Sequence, residues 1–196
     1  MKQTLKNQAK RSGLALAMVG AFAAFGTVLA APPASGPAFV QSSITLDRFG
    51  NLECTSRETG LTPGGFVRYD CASQYVGVVE QCMFKTKPVG NPRLYIYNNV
   101  HPEEVENFDV PNTGTVRAAV VTIIPEPGEA NAMICTAPSE VAVTAVRWCN
   151  NQLWDLTNNI LGATVPELFA VLVSNGTGTM PSCAALAGGP FTPPGE

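Results

Sequence analysis

Residues 141–148, Val-Ala-Val-Thr-Ala-Val-Arg-Trp, decide the fold class of this chain. Successive side chains of an extended strand point to opposite faces. Val141, Val143, Ala145 and Arg147 would therefore share one face. Residues 142, 144, 146 and 148 would lie on the opposite face. The run is also rich in Val and Thr, which favour strands. It predicts a β-strand.

Further runs rich in Val, Ile, Phe, Tyr and Thr occur along the chain, with turns containing Gly or Pro between them. They span residues 39–46, 66–71, 74–84, 94–97, 115–124 and 132–135. The composition agrees, with 45% hydrophobic and 14% charged residues, 18 Gly and 16 Pro. We predict a mainly β fold, an antiparallel sandwich or barrel stapled by disulfides.

The segment 150–176 has a different pattern. Leu153, Leu156 and Ile160 are spaced by three and four residues, as on one face of a helix. Residues 164–167, Thr-Val-Pro-Glu, have the pattern of a capping box with Pro in the first turn. We predict one or two short helices near the C-terminus; a strand over the apolar run 168–173 is the alternative.

Residues 1–30 have the layout of a secretory signal peptide. Four basic residues precede an uncharged run, Ser12 to Leu29, which ends in small residues. We predict cleavage after Ala30 and no stable membrane span after it; an uncleaved anchor is the alternative. Residues 31–38 would then form a flexible linker.

The expected mature chain is acidic. Four of the 12 basic residues and none of the 15 acidic ones lie within residues 1–30, so cleavage lowers the net charge from −3 to −7. Binding to nucleic acid or anionic lipid depends on clusters of Lys and Arg, which the remaining sequence lacks. We expect neither partner, and we expect a periplasmic, cell-surface or extracellular location.

An even number of cysteines in an exported chain indicates disulfides. The six are Cys54, Cys71, Cys82, Cys135, Cys149 and Cys183. None of them is two residues from another, so the spacing of a redox pair or of a zinc ribbon is absent. We therefore predict three structural disulfides, with no metal and no cofactor.

Two parts of the predicted domain 39–184 contain similar short motifs in the same order, an internal echo of the sequence. Residues 43–69 and 121–148 each contain a Thr-containing apolar strand, a Cys-Thr pair and a Val-Arg-aromatic triplet. The echo predicts related half-units at 39–110 and 115–184. Equivalent pairing would join Cys54 to Cys71, Cys135 to Cys149 and Cys82 to Cys183. Chance similarity is the alternative, and residues 185–196 are predicted to form a disordered tail.

Candidate catalytic and metal-binding groups are few. A triad would have to use His101, the single histidine, and no nucleophile elbow is present. The acidic cluster before the run at 115 could hold calcium or form a solvated turn; it comprises Glu103, Glu104, Glu106 and Asp109. Carboxylate pairs for glycoside hydrolysis could come from Asp70, Glu80, Glu140 and Asp155.

Aromatic side chains are the candidate ligand-binding residues. Tyr95 and Tyr97 share one face of a strand, Trp148 ends the predicted strand 141–148, and Trp154 lies in the segment 150–176. Amphipathic aromatics are enriched at interfaces, so this set could bind sugar rings or a protein. Burial in the core is the alternative for all four.

These observations predict an exported, disulfide-bonded β protein that works by binding or by assembly, without catalytic activity, with a protein or a glycan of the cell envelope as its partner. Two other functions remain open. One is a carboxylate-dependent secreted hydrolase. The other is a protease inhibitor that presents residues 55–58, Thr-Ser-Arg-Glu, on an exposed loop.

Overall fold

The computed structural model describes residues 36–103 and 105–187. The predicted signal peptide, most of the predicted linker and residues 188–196 of the predicted tail lie outside these ranges. The strands are β1 (Ala38–Leu46), β2 (Leu52–Thr59), β3 (Phe66–Phe84), β4 (Lys87–Pro88), β5 (Arg93–Val100), β6 (Asn107–Asp109), β7 (Val116–Thr122), β8 (Glu140–Asp155) and β9 (Ile160–Val171). One short helix follows, α1 (Cys183–Ala187).

The strands form two antiparallel sheets. The small sheet has the order β1-β2-β7, and the large sheet has the order β4-β3-β8-β9, with β5 and β6 also paired to β3. Residues from both sheets form one hydrophobic core, so the two sheets pack face to face. The predicted mainly β fold with antiparallel sheets and a short helix near the C-terminus is confirmed, although the helix lies at Cys183–Ala187 and not within 150–176.

The pattern of burial explains why these residues form strands. In β7, Val116, Ala118, Val120 and Thr122 are buried and the residues between them are exposed. This alternation buries one face of the small sheet and leaves the other in water. Strand β8 begins with the run that predicted the fold and continues to Asp155, where Trp148 is among the fully buried residues.

The predicted helices over 150–176 are wrong, because this segment completes β8 and forms β9. A turn joins the two strands, in which Asp155 Oδ1 accepts hydrogen bonds from the backbone N–H groups of Thr157 and Asn158. Leu153 is 1% exposed, whereas Leu156 is 46% exposed, so the two do not share a buried helical face. Pro166 is tolerated because, among the described strands, β9 pairs with β8 alone.

All six cysteines form disulfides, as predicted, but two of the three predicted pairs are wrong. The bonds join Cys54 to Cys71, Cys82 to Cys135 and Cys149 to Cys183. Residues 132–135, predicted as a strand, are irregular and carry Cys135 over the end of β3. The predicted half-units stay a prediction, but their disulfides are not equivalent.

The C-terminal segment covers the outer face of the large sheet. A Cβ atom at Gly77 in β3 would lie 3.0 Å from Leu186 Cδ1 and 3.0 Å from Met180 Sδ, so the segment packs closely against this Gly. Leu186 is buried, and α1 contains the first three residues of the predicted tail, 185–187. In the part of the chain that the structure describes, no helix is both long enough and apolar enough to span a membrane.

Candidate functional site

The exposed face of the small sheet carries the most unusual group of side chains in the structure. Arg57 of β2 lies directly opposite Arg117 of β7, and Gln41 of β1 lies opposite Arg57 on its other side. These three residues therefore form a row across the sheet. They line an open pocket of about 280 Å³ together with Thr55, Ser56 and Ala118.

Neither arginine forms an ion pair with a residue that the structure describes. Within residues 36–103 and 105–187 the only ion pairs are His101 with Asp70 and Arg147 with Glu167. Glu58, adjacent to Arg57 in sequence, points into the core and is fully buried. Like charges directly opposite each other on neighbouring strands are destabilising. The pair therefore creates a local positive potential in a protein whose described charges are mostly acidic.

The row of arginines ends at the edge of its sheet. Strand β7 pairs with β2 alone among the described strands. Arg117, Ala119 and Val121 are exposed on its outer face, and Ile123 is exposed just past its end. An edge strand presents unpaired backbone N–H and C=O groups, which is the ordinary requirement for pairing with another extended segment.

A cluster of buried polar side chains lies beneath this face. Tyr69 OH donates a 2.9 Å hydrogen bond to Glu58 Oε2, and both residues are fully buried. Burial is the main reason that the pKa of Glu58 is raised to about 7; the Tyr69 hydrogen bond opposes this rise and the nearby Asp155 carboxyl adds to it. Burial and the Glu58 charge likewise raise the pKa of Tyr69.

The carboxyls that meet in the core are Glu58 and Asp155, and sequence analysis named only Asp155. Both are fully buried, so a substrate does not reach them without opening the core. Asp155 accepts hydrogen bonds from the turn that follows it, including one of 2.6 Å from Asn158 Nδ2. Asp155 thus holds the turn in place, while Glu58 accepts the Tyr69 hydrogen bond and its Oε1 has no partner among the described residues.

The other candidate carboxylates lie apart from this cluster. Burial, and then the charge of Glu126, raises the pKa of Glu80, whose Oε2 has no hydrogen-bond partner. Glu140 is exposed at the start of β8. Asp70 Oδ2 lies 2.9 Å from His101 Nδ1, which ties β3 to the segment after β5.

His101 is half-exposed in this pair, at 53%, and Asp70 is 11% exposed. The acidic cluster near it is placed only in part, because Glu104 lies outside the described residues. Glu103, Glu106 and Asp109 are exposed. No group of three His, Cys, Asp or Glu side chains among the described residues has the geometry to hold a metal ion.

The four predicted aromatic residues do not form one surface. Trp148 is fully buried and donates a 2.8 Å hydrogen bond to Gly50 O, so it presents no surface to a ligand. Tyr95 and Tyr97 are half-buried and pack against the core. Trp154 is half-buried and donates to Gln152 Oε1.

Sequence analysis missed the arginine pair because Arg57 and Arg117 are far apart in the chain. Two signals were present: residues 116–122 alternate, and each arginine falls at an outward position of its strand. The pairing of β2 with β7 could not be predicted from the sequence.

Compared with protein-family models, with curated proteins and with solved structures, the chain matches none.

Proposed function

We propose that this chain is an exported protein that binds a partner in the periplasm, at the cell surface or outside the cell, and that the exposed face of the small sheet is its binding face. The observation that carries the proposal is the uncompensated pair of Arg57 and Arg117 at an open sheet edge. Unpaired charge that costs stability is typical of surfaces selected for recognition.

The covalent structure supports the proposed compartment. All six cysteines are in disulfides, and such bonds persist in oxidising compartments and are rare in the cytosol. The predicted signal peptide at 1–30 supplies the route of export. Binding to nucleic acid or to an anionic membrane is not part of the proposal, because the expected mature chain carries a net charge of −7.

Binding is favoured over the two other functions by the positions of the residues that those functions need. Of the four carboxylates proposed for a hydrolase, Asp70, Glu80 and Asp155 are buried, and Glu140 is exposed at the start of β8. Residues 55–58, which an inhibitor would present on a loop, lie within β2 and pair with strands on both sides. A strand held in the middle of a sheet does not extend into a protease cleft.

Photo-crosslinking of the exported protein tests the binding face. A photoreactive residue would replace Ala119 on the small sheet or, as the matched control, Leu94, which is exposed on the large sheet. We expect crosslinks to a partner from position 119 and few from position 94. Equal crosslinking from both positions, or crosslinking from position 94 alone, would contradict the proposed face.

The mass of the exported protein tests the compartment. We expect the exported form to begin at Ala31 and to have no free thiol, as shown by intact-mass analysis before and after alkylation. A full-length cytosolic chain with reactive thiols would contradict export. A crosslinked product with the mass of two chains would identify assembly as the form that binding takes.

A further inference from the structure

We propose that the partner contributes an extended acidic segment that adds as a strand to the free edge of β7, with its carboxylates on Arg57 and Arg117. This inference rests on the proposed function and names the kind of partner. Three independent features of the small sheet support it: the unpaired edge, the arginine pair, and the apolar side chains that continue along the same face.

The backbone of β7 supplies the first feature. In an antiparallel pair, half of the backbone groups of each strand point to its neighbour and half point away. Strand β7 uses one set on β2, and it pairs with no further strand in the part of the chain that the structure describes. An extended peptide that pairs here gains main-chain hydrogen bonds without a conformational change in the sheet.

The arginine pair supplies the charge. Arg117 lies on the edge strand itself and Arg57 on the strand behind it, so both guanidinium groups lie within reach of a side chain on an added strand. A guanidinium binds a carboxylate through two parallel hydrogen bonds. A carboxylate at this place also relieves the repulsion between the two arginines. The complementary partner is therefore acidic.

The apolar side chains define the rest of the partner's pattern. Val121 is 43% exposed on the same face of β7 as Arg117, and Ile123, just past the end of the strand, is 45% exposed. Since neighbouring strands place matching side chains side by side, the added strand would carry an acidic residue beside Arg117 and apolar residues beside Val121 and Ile123.

A second copy of this chain fits the edge less well. Antiparallel pairing of two β7 strands about Ala119 would place Arg117 beside Val121 of the other copy, and pairing about Arg117 would bring two arginines together. Neither arrangement neutralises the guanidinium groups. Charge complementarity thus favours an acidic segment of another protein over self-pairing.

The probe for the test is a short capped peptide in which Glu alternates with Val. We expect it to shift the backbone amide NMR signals of 116–122 in the isotope-labelled, disulfide-bonded protein. Two matched peptides serve as controls, one with Lys in place of Glu and one with alternate backbone nitrogens methylated. Neither should bind, because one has the wrong charge and the other cannot pair its backbone.

The charge contribution is tested with a double variant and a charge-matched control. Arg57→Gln with Arg117→Gln should weaken binding of the Glu-Val peptide by about tenfold or more, because the variant loses both charge-assisted contacts to the peptide carboxylates. Lys87→Gln with Arg93→Gln removes the same net charge at exposed positions on strands of the large sheet and should leave binding unchanged. Unchanged near-ultraviolet circular dichroism would show that each variant is folded.

Three outcomes would overturn the inference. These are no shift of the 116–122 signals, shifts that map to another strand, or binding that is equal in the variant lacking Arg57 and Arg117. If the protein is exported and crosslinks through position 119 but ignores the peptide, the proposed function stands and the acidic-strand partner is wrong. If it is cytosolic with free thiols while the peptide binds, the failure lies in the proposed function.

Discussion

The two sides of the sandwich, where β1 meets β9 and where β7 ends the small sheet, are built in opposite ways. On the first side Phe39 of β1 packs on Gly162 of β9, where a Cβ atom would lie only 2.9 Å from the ring. Ser42 Oγ donates a 2.6 Å hydrogen bond to Gly162 O, so side chains join the two sheets. On the second side, β7 pairs with no described strand beyond β2.

The closed side stabilises the fold, whereas the open side is the proposed site of recognition. The closed side gains free energy from packing, since Phe39 also contacts the ring of Tyr69 at a centroid distance of 5.9 Å. The open side loses free energy, since Arg57 and Arg117 repel each other there. A surface that costs stability in the free protein is where a partner contributes most, so the open side is the proposed binding side.

The largest effect is expected from Phe39→Ala on the closed side. Removing a large ring that is half-buried and packed on Tyr69 and Gly162 should lower the free energy of unfolding by about 3 kcal/mol. Urea unfolding followed by tryptophan fluorescence measures it, because Trp148 lies in the core. Val121→Ala on the open side is the control and should cost under about 0.5 kcal/mol. Equal losses would break the comparison.

The next prediction concerns the buried carboxyl that contacts Tyr69. Because burial raises the pKa of Glu58 to about 7 from 4.5, the folded state binds a proton that the unfolded state releases between those pH values. Stability should therefore be highest below about pH 4.5 and fall by about 3 kcal/mol as the pH rises through 7. Glu58→Gln keeps an acceptor for Tyr69 OH and should remove this fall.

The control for that experiment is Glu53→Gln on the outward face of the same strand. Unfolding in urea at a series of pH values would compare the three proteins. We expect the unaltered protein and Glu53→Gln to share one slope, and Glu58→Gln to be the most stable of the three at pH 8. An unchanged slope in Glu58→Gln would mean that another group takes up the proton.

The smallest effect is expected on the open side itself. Arg117→Gln should raise the free energy of unfolding by a few tenths of a kcal/mol at low salt, because it removes the repulsion from Arg57. The gain should fade as salt screens the charges. Arg93→Gln, at an exposed position on the large sheet, should show no such gain. A loss of stability in Arg117→Gln would show that this arginine has a stabilising contact.

The fold class was predictable because alternation at period two is a local property, and it was plain at 141–148 and 115–124. The disulfide between Cys54 and Cys71 was predicted from the internal echo, which gave this one correct pair and two wrong ones. The other two bonds depend on where the segments 125–139 and 174–187 cross the large sheet. Such crossings are set by tertiary packing, which local patterns do not encode.

The prediction of helices after residue 150 was wrong for a physical reason. Leu153, Leu156 and Ile160 have helical spacing, but the hydrogen bonds that Asp155 accepts stabilise a turn between them. The candidate site could not be predicted from local sequence patterns either. Arg57 and Arg117 became neighbours only through the register of β2 on β7, so the pair was visible in the structure and not in either strand alone.

Hydrogen exchange of the free, disulfide-bonded protein tests the central claim most directly. If β7 is an open edge, about half of the amides of 116–122 should exchange fast, while those of β8, which pairs on both sides, stay protected. The Glu-Val peptide should then slow exchange in 116–122 and nowhere else. Uniform protection of β7 in the free protein, equal to that of β8, would contradict the account.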